Sequence, residues 1–135
     1  MSRKEARECA YTLVFEYVST KDGNTPTLDN ILKTPTLTVK DSEYIKAVYN
    51  GVQANYDSIL EIISRNTANR KLEKIFKSEL AALMLAIYEM KYMDDIPLNV
   101  SISEAVELIK KYASTKESYS FVNGVLAGVY KELNK

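Results

Sequence analysis

The sequence predicts an all-α fold of six or seven helices. Apolar residues recur at three- and four-residue steps along nearly the whole chain. Only three prolines and four glycines interrupt that pattern. No alternation of the kind a strand requires runs for more than a few residues, and no internal repeat is present. At 135 residues the chain fits one domain, 1–135. A chain of that length buries roughly two-thirds of the surface its unfolded form exposes, enough for its own core.

The first helix is expected over 2–18, with Ala6, Ala10, Leu13, Val14 and Tyr17 as its buried stripe. Cys9, at the margin of that face, reads as a small core residue. Segment 19–40 is rich in Thr, Asn and Asp and holds Pro26 and Pro35. It reads as a loop with a short helix near 28–32. Asp41 or Ser42 is placed to cap the next helix. Ile45, Val48, Val52, Ile59 and Ile63 form its apolar face, with a break near 55–57 where Asp57 starts a new helix. Residues 70–75 lead into the most hydrophobic helix, 75–92. There Leu80, Leu83, Met84 and Ile87 share one side, and Ala81, Ala82 and Ala86 permit close approach. This is the expected central helix. Asp94, Asp95 and Pro97 end it. Ser101 and Glu104 have capping-box spacing, so a helix should begin there, turning Ala105, Leu108, Ile109 and Tyr112 inward. A turn at 114–116 leads to the last helix, whose stripe is Val122, Val125, Leu126, Val129 and Leu133.

Composition excludes several functions. Eighteen basic and eighteen acidic residues give a formal net charge of zero, so nucleic-acid binding would need a local patch. There is no histidine and a single cysteine. That excludes a zinc site of Cys and His, a His-activated nucleophile and an internal disulfide, and it suits the reducing cytoplasm. No apolar run approaches the roughly 18 residues of a membrane span, and no signal-peptide core follows the charged start. Glu79, Glu89, Glu104 and Glu107 form no recognisable pair with a base, metal ligand or nucleophile. They read as a solvated face or as caps. With no phosphate-cradling loop or dinucleotide fingerprint either, no enzyme, metal or cofactor is expected.

Two helices carry candidate binding residues. On a wheel of about 100° per residue, Arg7 lies roughly 90° from the apolar centre of the first helix. Lys4 and Tyr11 lie beyond about 120°, and Phe15 is nearly opposite. Arg3, Arg7, Tyr11 and Phe15 form a stepwise series. Cationic side chains grip phosphates and aromatic faces stack on unpaired bases, which is what a single-stranded nucleic-acid surface needs. The competing reading packs Phe15 under another helix or under the 19–40 loop. In the last helix, Gly124 lies about 160° from the apolar centre and Ser120 also points outward. Either a ligand approaches the backbone there, or another helix packs over Gly124 and Gly128. Asn123 reads equally as a structural hydrogen-bonder, and Phe121, at the edge of the stripe, as half-exposed.

These segments resemble the NusB family of bacterial transcription antitermination factors. The matching elements are Arg3-Lys4-Glu5-Ala6-Arg7-Glu8-Cys9-Ala10, Gly51-Val52 with Asn55, and Ala86-Ile87-Tyr88-Glu89-Met90. Asp95-Ile96-Pro97-Leu98-Asn99-Val100, Glu104-Ala105-Val106-Glu107-Leu108 and Phe121-Val122-Asn123-Gly124-Val125-Leu126 complete the series. The similarity spans nearly the whole chain and is weakest in 19–40. It implies two small helical bundles packed together and a function without catalysis. It implies binding of the single-stranded boxA element of nascent RNA, pairing with NusE, and assembly of the antitermination complex on RNA polymerase, notably during ribosomal RNA synthesis. Carried over by position, the RNA-binding residues are Arg3, Lys4, Arg7, Phe15, Glu117, Ser120, Phe121 and Asn123. Glu73 and Glu79, around the central helix, are carried over as the NusE-contact surface. A homodimer that hides the RNA surface is compatible with the family. The basic motif is shorter than in some members, no tryptophan precedes the core helix (Asn69 stands nearby), and Met84 replaces a common arginine. The rival readings are a helical protein-interaction module with little RNA binding, and a fragment of an RNA methyltransferase carrying a similar domain.

Overall fold

The computed structural model describes residues 1–113 and 115–134. Seven α-helices are present among them: α1 (Arg3–Thr20), α2 (Pro26–Leu32), α3 (Val39–Ala54), α4 (Tyr56–Arg65), α5 (Lys77–Tyr92), α6 (Leu98–Tyr112) and α7 (Lys116–Leu133), with a 3₁₀ turn at Leu72–Lys74 before α5. Helices α1, α2 and α3 form one small bundle, and α4, α6 and α7 form a second; both are built on α5. Every residue from 80 to 87 is buried, so α5 is apolar on all sides, as a helix enclosed by others must be. Gly51 lets the Tyr88 ring of α5 lie directly on the α3 backbone, where a Cβ would collide with it. No helix among the described residues is long and apolar enough to cross a membrane.

Local chemistry sets the helix ends. Ser2 caps α1, accepting from the Glu5 N–H, while Glu5 accepts from the Ser2 N–H. The cap of α3 is Thr38, not Asp41 or Ser42: Thr38 accepts from the Asp41 N–H, and Asp41 closes the box at the third position. The break at 55–57 is present. Asn55 ends α3 and begins α4, its side chain donating back to the Gly51 carbonyl at 2.8 Å. Ser101 does not start a helix. α6 begins three residues earlier, after Pro97, and Ser101 lies buried within it. The turn expected at 114–116 falls partly on Ser114, outside the described residues; Thr115 caps α7 by accepting from the Ser118 N–H.

The buried arc of α1 is wider than its apolar stripe. Ala6, Arg7, Ala10, Tyr11, Leu13, Val14 and Val18 are all buried, an arc of about 160° on the wheel. Arg7 is only 4% exposed and Tyr11 3%. Arg7 donates Nε to Glu89 Oε2 at 2.8 Å and Nη2 to Oε1 at 3.1 Å. Glu89, fully buried on α5, also accepts the Ser101 hydroxyl of α6 at 2.8 Å and the Tyr44 hydroxyl of α3. Four donors from three helices meet one carboxylate. Burial opposes the Arg7 charge, but the hydrogen-bonded Glu89 outweighs it and holds the Arg7 pKa above its ordinary value. Burial first, and then the Glu89 charge, push the Tyr44 phenol far upward.

Removing one member of a buried ion pair strands the other in a medium that cannot solvate it. Arg7→Ala is therefore expected to cost about 3–5 kcal/mol in urea unfolding. A loss below about 1 kcal/mol, the range of exposed pairs, would show that Glu89 does not depend on Arg7.

Candidate nucleic-acid interface

The structure divides the sequence-predicted residues into two groups. Arg3, Lys4 and Phe15 are exposed on α1, and Glu117, Ser120 and Asn123 are exposed on the first turns of α7. Phe121 is half-buried, as expected. The other group faces inward. Arg7 is paired with Glu89, with Glu104 3.5 Å from its Nη1, and is only 4% exposed. Tyr11, expected outward, instead donates its hydroxyl to the Ser78 carbonyl at 3.0 Å. Glu79, expected on a partner-facing surface, is fully buried. It accepts from Arg70 at 2.7 Å, from the Phe76 N–H at 3.1 Å and from the Ser118 hydroxyl at 2.8 Å. Neither Glu79 nor Glu89 belongs to a solvated face. Glu73 is exposed in the 3₁₀ turn, between the exposed Leu72 and Lys74.

Two grooves between α1 and α6 link the exposed residues. The first is lined by Lys4, Lys110 and Lys111 with Glu8, Glu104 and Glu107, and Arg7 and Leu108 form part of its wall. Lys111 donates to Glu8 at 2.9 Å, which raises its pKa, and Lys110 lies 3.6 Å from Glu107. The second groove is aromatic, lined by Phe15, Tyr11 and Tyr112 with Thr12 and Ser78. Tyr112 was expected in the core but is 46% exposed; its ring stacks on Tyr11 with centroids 5.0 Å apart. Phe15 is 40% exposed and its centroid lies 6.3 Å from that of Tyr11. Ser78 precedes Glu79, whose bond to Ser118 holds the start of α7. A charged groove and an aromatic cleft thus lie along α1 and α6, and Glu79 ties α5, beside that cleft, to the start of α7.

Two further features shape the α7 end. The Arg70 guanidinium lies 3.7 Å from the Phe121 ring centroid. Gly124 is exposed, with open space where a Cβ would stand, so no helix packs over it; at Gly128 a Cβ would meet the Asn66 side chain. Sequence reasoning missed Arg70 and Tyr112. Arg70 lies between helices, where periodicity is silent, and Tyr112 stands where the helical period points inward but α6 is ending.

The NusB family profile matches residues 4–131. A transcription antitermination protein NusB of Acetivibrio thermocellus is 44% identical over 131 residues, spanning 97% of this chain and 90% of that protein. One of Clostridium botulinum is 41% identical over 134 residues, spanning 98% of this chain and 100% of its own length. Among solved structures, T. maritima NusB superposes with a TM-score of 0.85 at 28% identity, spanning 98% of this chain and 92% of that one.

The Tyr11 contact gives a pH signature. Burial, and then the neighbouring Tyr112, push the Tyr11 phenol from 10.0 up to about 12. The folded state therefore keeps this proton while the unfolded state loses it. Stability that is complete below pH 10 falls as pH rises towards 12. Tyr11→Phe should cost about 1 kcal/mol at pH 8, where the hydrogen bond to Ser78 is lost. In denaturant titrations between pH 10 and 12 the gap between the two proteins should close and then reverse, because a shift from 10.0 to about 12 costs the parent about 3 kcal/mol, more than the hydrogen bond contributes. A constant gap would contradict the burial of this phenol.

Proposed function

Because the chain belongs to the NusB family, we propose that it is a transcription antitermination factor that binds single-stranded boxA RNA together with NusE, a protein of the small ribosomal subunit. In this reading it helps assemble the antitermination complex on RNA polymerase, notably during ribosomal RNA synthesis. It acts in the cytoplasm, as one domain, and without catalysis. The observation that carries the proposal is the pair of grooves along α1 and α6 that hold Lys4, Phe15 and Tyr112, with Glu117, Ser120 and Asn123 exposed on the first turns of α7.

Arg3 and Lys4 grip phosphates there. Arg3 lies 4.5 Å from the Tyr44 ring centroid, which steadies its long side chain while leaving it exposed. Phe15 stacks on an unpaired base, and Phe121 offers a second ring at the α7 end. Ser120 and Asn123 hydrogen-bond to base edges, and Glu117 accepts from base amino groups. Arg7 acts from behind this surface: its pairing with Glu89 fixes the rotation of α1. Glu79 likewise acts by positioning the start of α7. Glu73 remains the acidic candidate for NusE contact, beside the exposed apolar Leu72 and Phe76. A homodimer that covered these faces would hold the protein in a storage form.

The burial of Arg7 favours one rival, a protein-interaction module, because it leaves Arg3 and Lys4 as the cations of the first-helix motif. Salt separates the two readings, since phosphate contacts weaken as salt rises. Fluorescence anisotropy of a labelled boxA-type RNA, with and without NusE and against a scrambled RNA, should show selective, salt-sensitive binding that NusE strengthens. Absence of selectivity with a confirmed NusE complex would leave the interaction module. In the same titration Phe15→Ala should weaken binding by about 1–3 kcal/mol if stacking operates. An unchanged affinity would remove Phe15 from the interface.

A further inference from the structure

We propose that Arg70, which lies outside every motif read from the sequence, contacts an RNA phosphate at the start of α7 while holding the Phe121 ring in place. This inference rests on the RNA-binding reading above and adds a residue to its surface. Arg70 lies in the connection between α4 and α5, and two contacts fix its guanidinium. Nη1 donates to Glu79 Oε1 at 2.7 Å. That carboxylate is fully buried and is itself held by the Phe76 N–H and the Ser118 hydroxyl, so it cannot follow a moving arginine. The guanidinium also lies 3.7 Å from the Phe121 centroid, covering one face of that ring.

Those contacts use one of the three guanidinium nitrogens as a hydrogen-bond donor. Among the described residues the hydrogen-bond partner of the Arg70 side chain is Glu79, and the side chain is 27% exposed. Arginine's planar fork suits phosphate oxygens, and a fork already immobilised loses little further freedom on binding. The position matters as well. Ser120, Phe121 and Asn123 supply hydrogen-bonding and stacking groups at this end, and Glu117 contributes negative charge. With Arg7 buried against Glu89, the Arg70 guanidinium, its charge balanced by Glu79 behind it, offers a fixed donor group to the surface at its α7 end.

The test is the salt dependence of binding to a labelled boxA-type single-stranded RNA in the presence of NusE. Arg70→Gln alone would strand the buried Glu79, so the main variant is the double substitution Arg70→Gln with Glu79→Gln, checked for helicity by circular dichroism. Arg70→Lys keeps the charge, and Lys4→Gln serves as a control elsewhere on the surface. The double variant should bind roughly five- to tenfold more weakly at 0.1 M salt. Its slope of log affinity against log salt should be shallower by about 0.7, the value of one single-strand phosphate contact. Arg70→Lys should keep the parent slope. A folded double variant with the parent slope overturns the phosphate contact, whatever its affinity. If Lys4→Gln flattens the slope and the double variant does not, the RNA reading stands and the Arg70 proposal alone fails. If the parent complex shows no salt-sensitive binding, both fail together.

Discussion

The buried carboxylate of Glu89 constrains the rest of the structure. It sits fully inside α5, a helix enclosed on all sides, where an unpaired charge would be prohibitively costly. Its lone pairs are met by Arg7 from α1, Tyr44 from α3 and Ser101 from α6. Hydrophobic packing alone tolerates small rotations of one helix against another. A carboxylate needing donors from three neighbours does not, because each rotation would break a charge-assisted bond. The apolar residues supply most of the favourable burial, and Glu89 selects one arrangement among those that burial permits.

A second carboxylate repeats this arrangement at the other end of the same helix. Glu79 and Glu89 are ten residues apart, about 15 Å along α5. Glu79 gathers Arg70, the Phe76 backbone and Ser118, tying the α4–α5 connection to the start of α7. The rotation of α1 and the entry of α7 are thus both referred to α5. Most of the residues proposed to meet RNA lie on these two elements, and Arg70 is held directly by Glu79, so the two buried acids act as positioning residues for that surface. This links the packing of the core to the proposed function: Arg7 turns inward, and in doing so sets the direction in which Lys4 and Phe15 face.

Much of this fold was legible because helical periodicity is a local signal. The stripes of α3, α4 and α5 follow from spacing, as do the break at Asn55 and the α7 stripe as far as Val129. Leu133, expected in that stripe, is 36% exposed where α7 ends, and α5, expected to present one apolar side, is buried all round at 80–87. What escaped was long-range and polar. Arg7 and Glu89 are 82 residues apart, and a charged residue without a visible partner reads as solvated. Tyr11 falls outside a stripe centred on Ala6, Ala10, Leu13 and Tyr17, yet its ring is buried and its hydroxyl has a backbone acceptor, while Tyr17 itself is only half-buried. Ser101 and Glu104 have the spacing of a capping box, but the Ser101 hydroxyl is used by Glu89 and the helix starts at Leu98. The exposure of Lys4 and Phe15 was anticipated, since a residue opposite the core is also a local inference. Arg70 was missed because its position follows from the burial of Glu79 and from nothing in its own neighbourhood.

The central claim is that one surface of α1, α6 and α7 meets RNA while the buried acids hold it from behind. Chemical-shift mapping of the isotopically labelled protein with a boxA-type single-stranded RNA tests this most directly. The account predicts perturbations at Arg3, Lys4, Phe15, Tyr112 and the 117–123 segment, with the Arg7 Nε–H resonance protected from exchange and little changed. Perturbations confined to α3 and α4, or an Arg7 Nε–H that exchanges freely and shifts with the RNA, would contradict it.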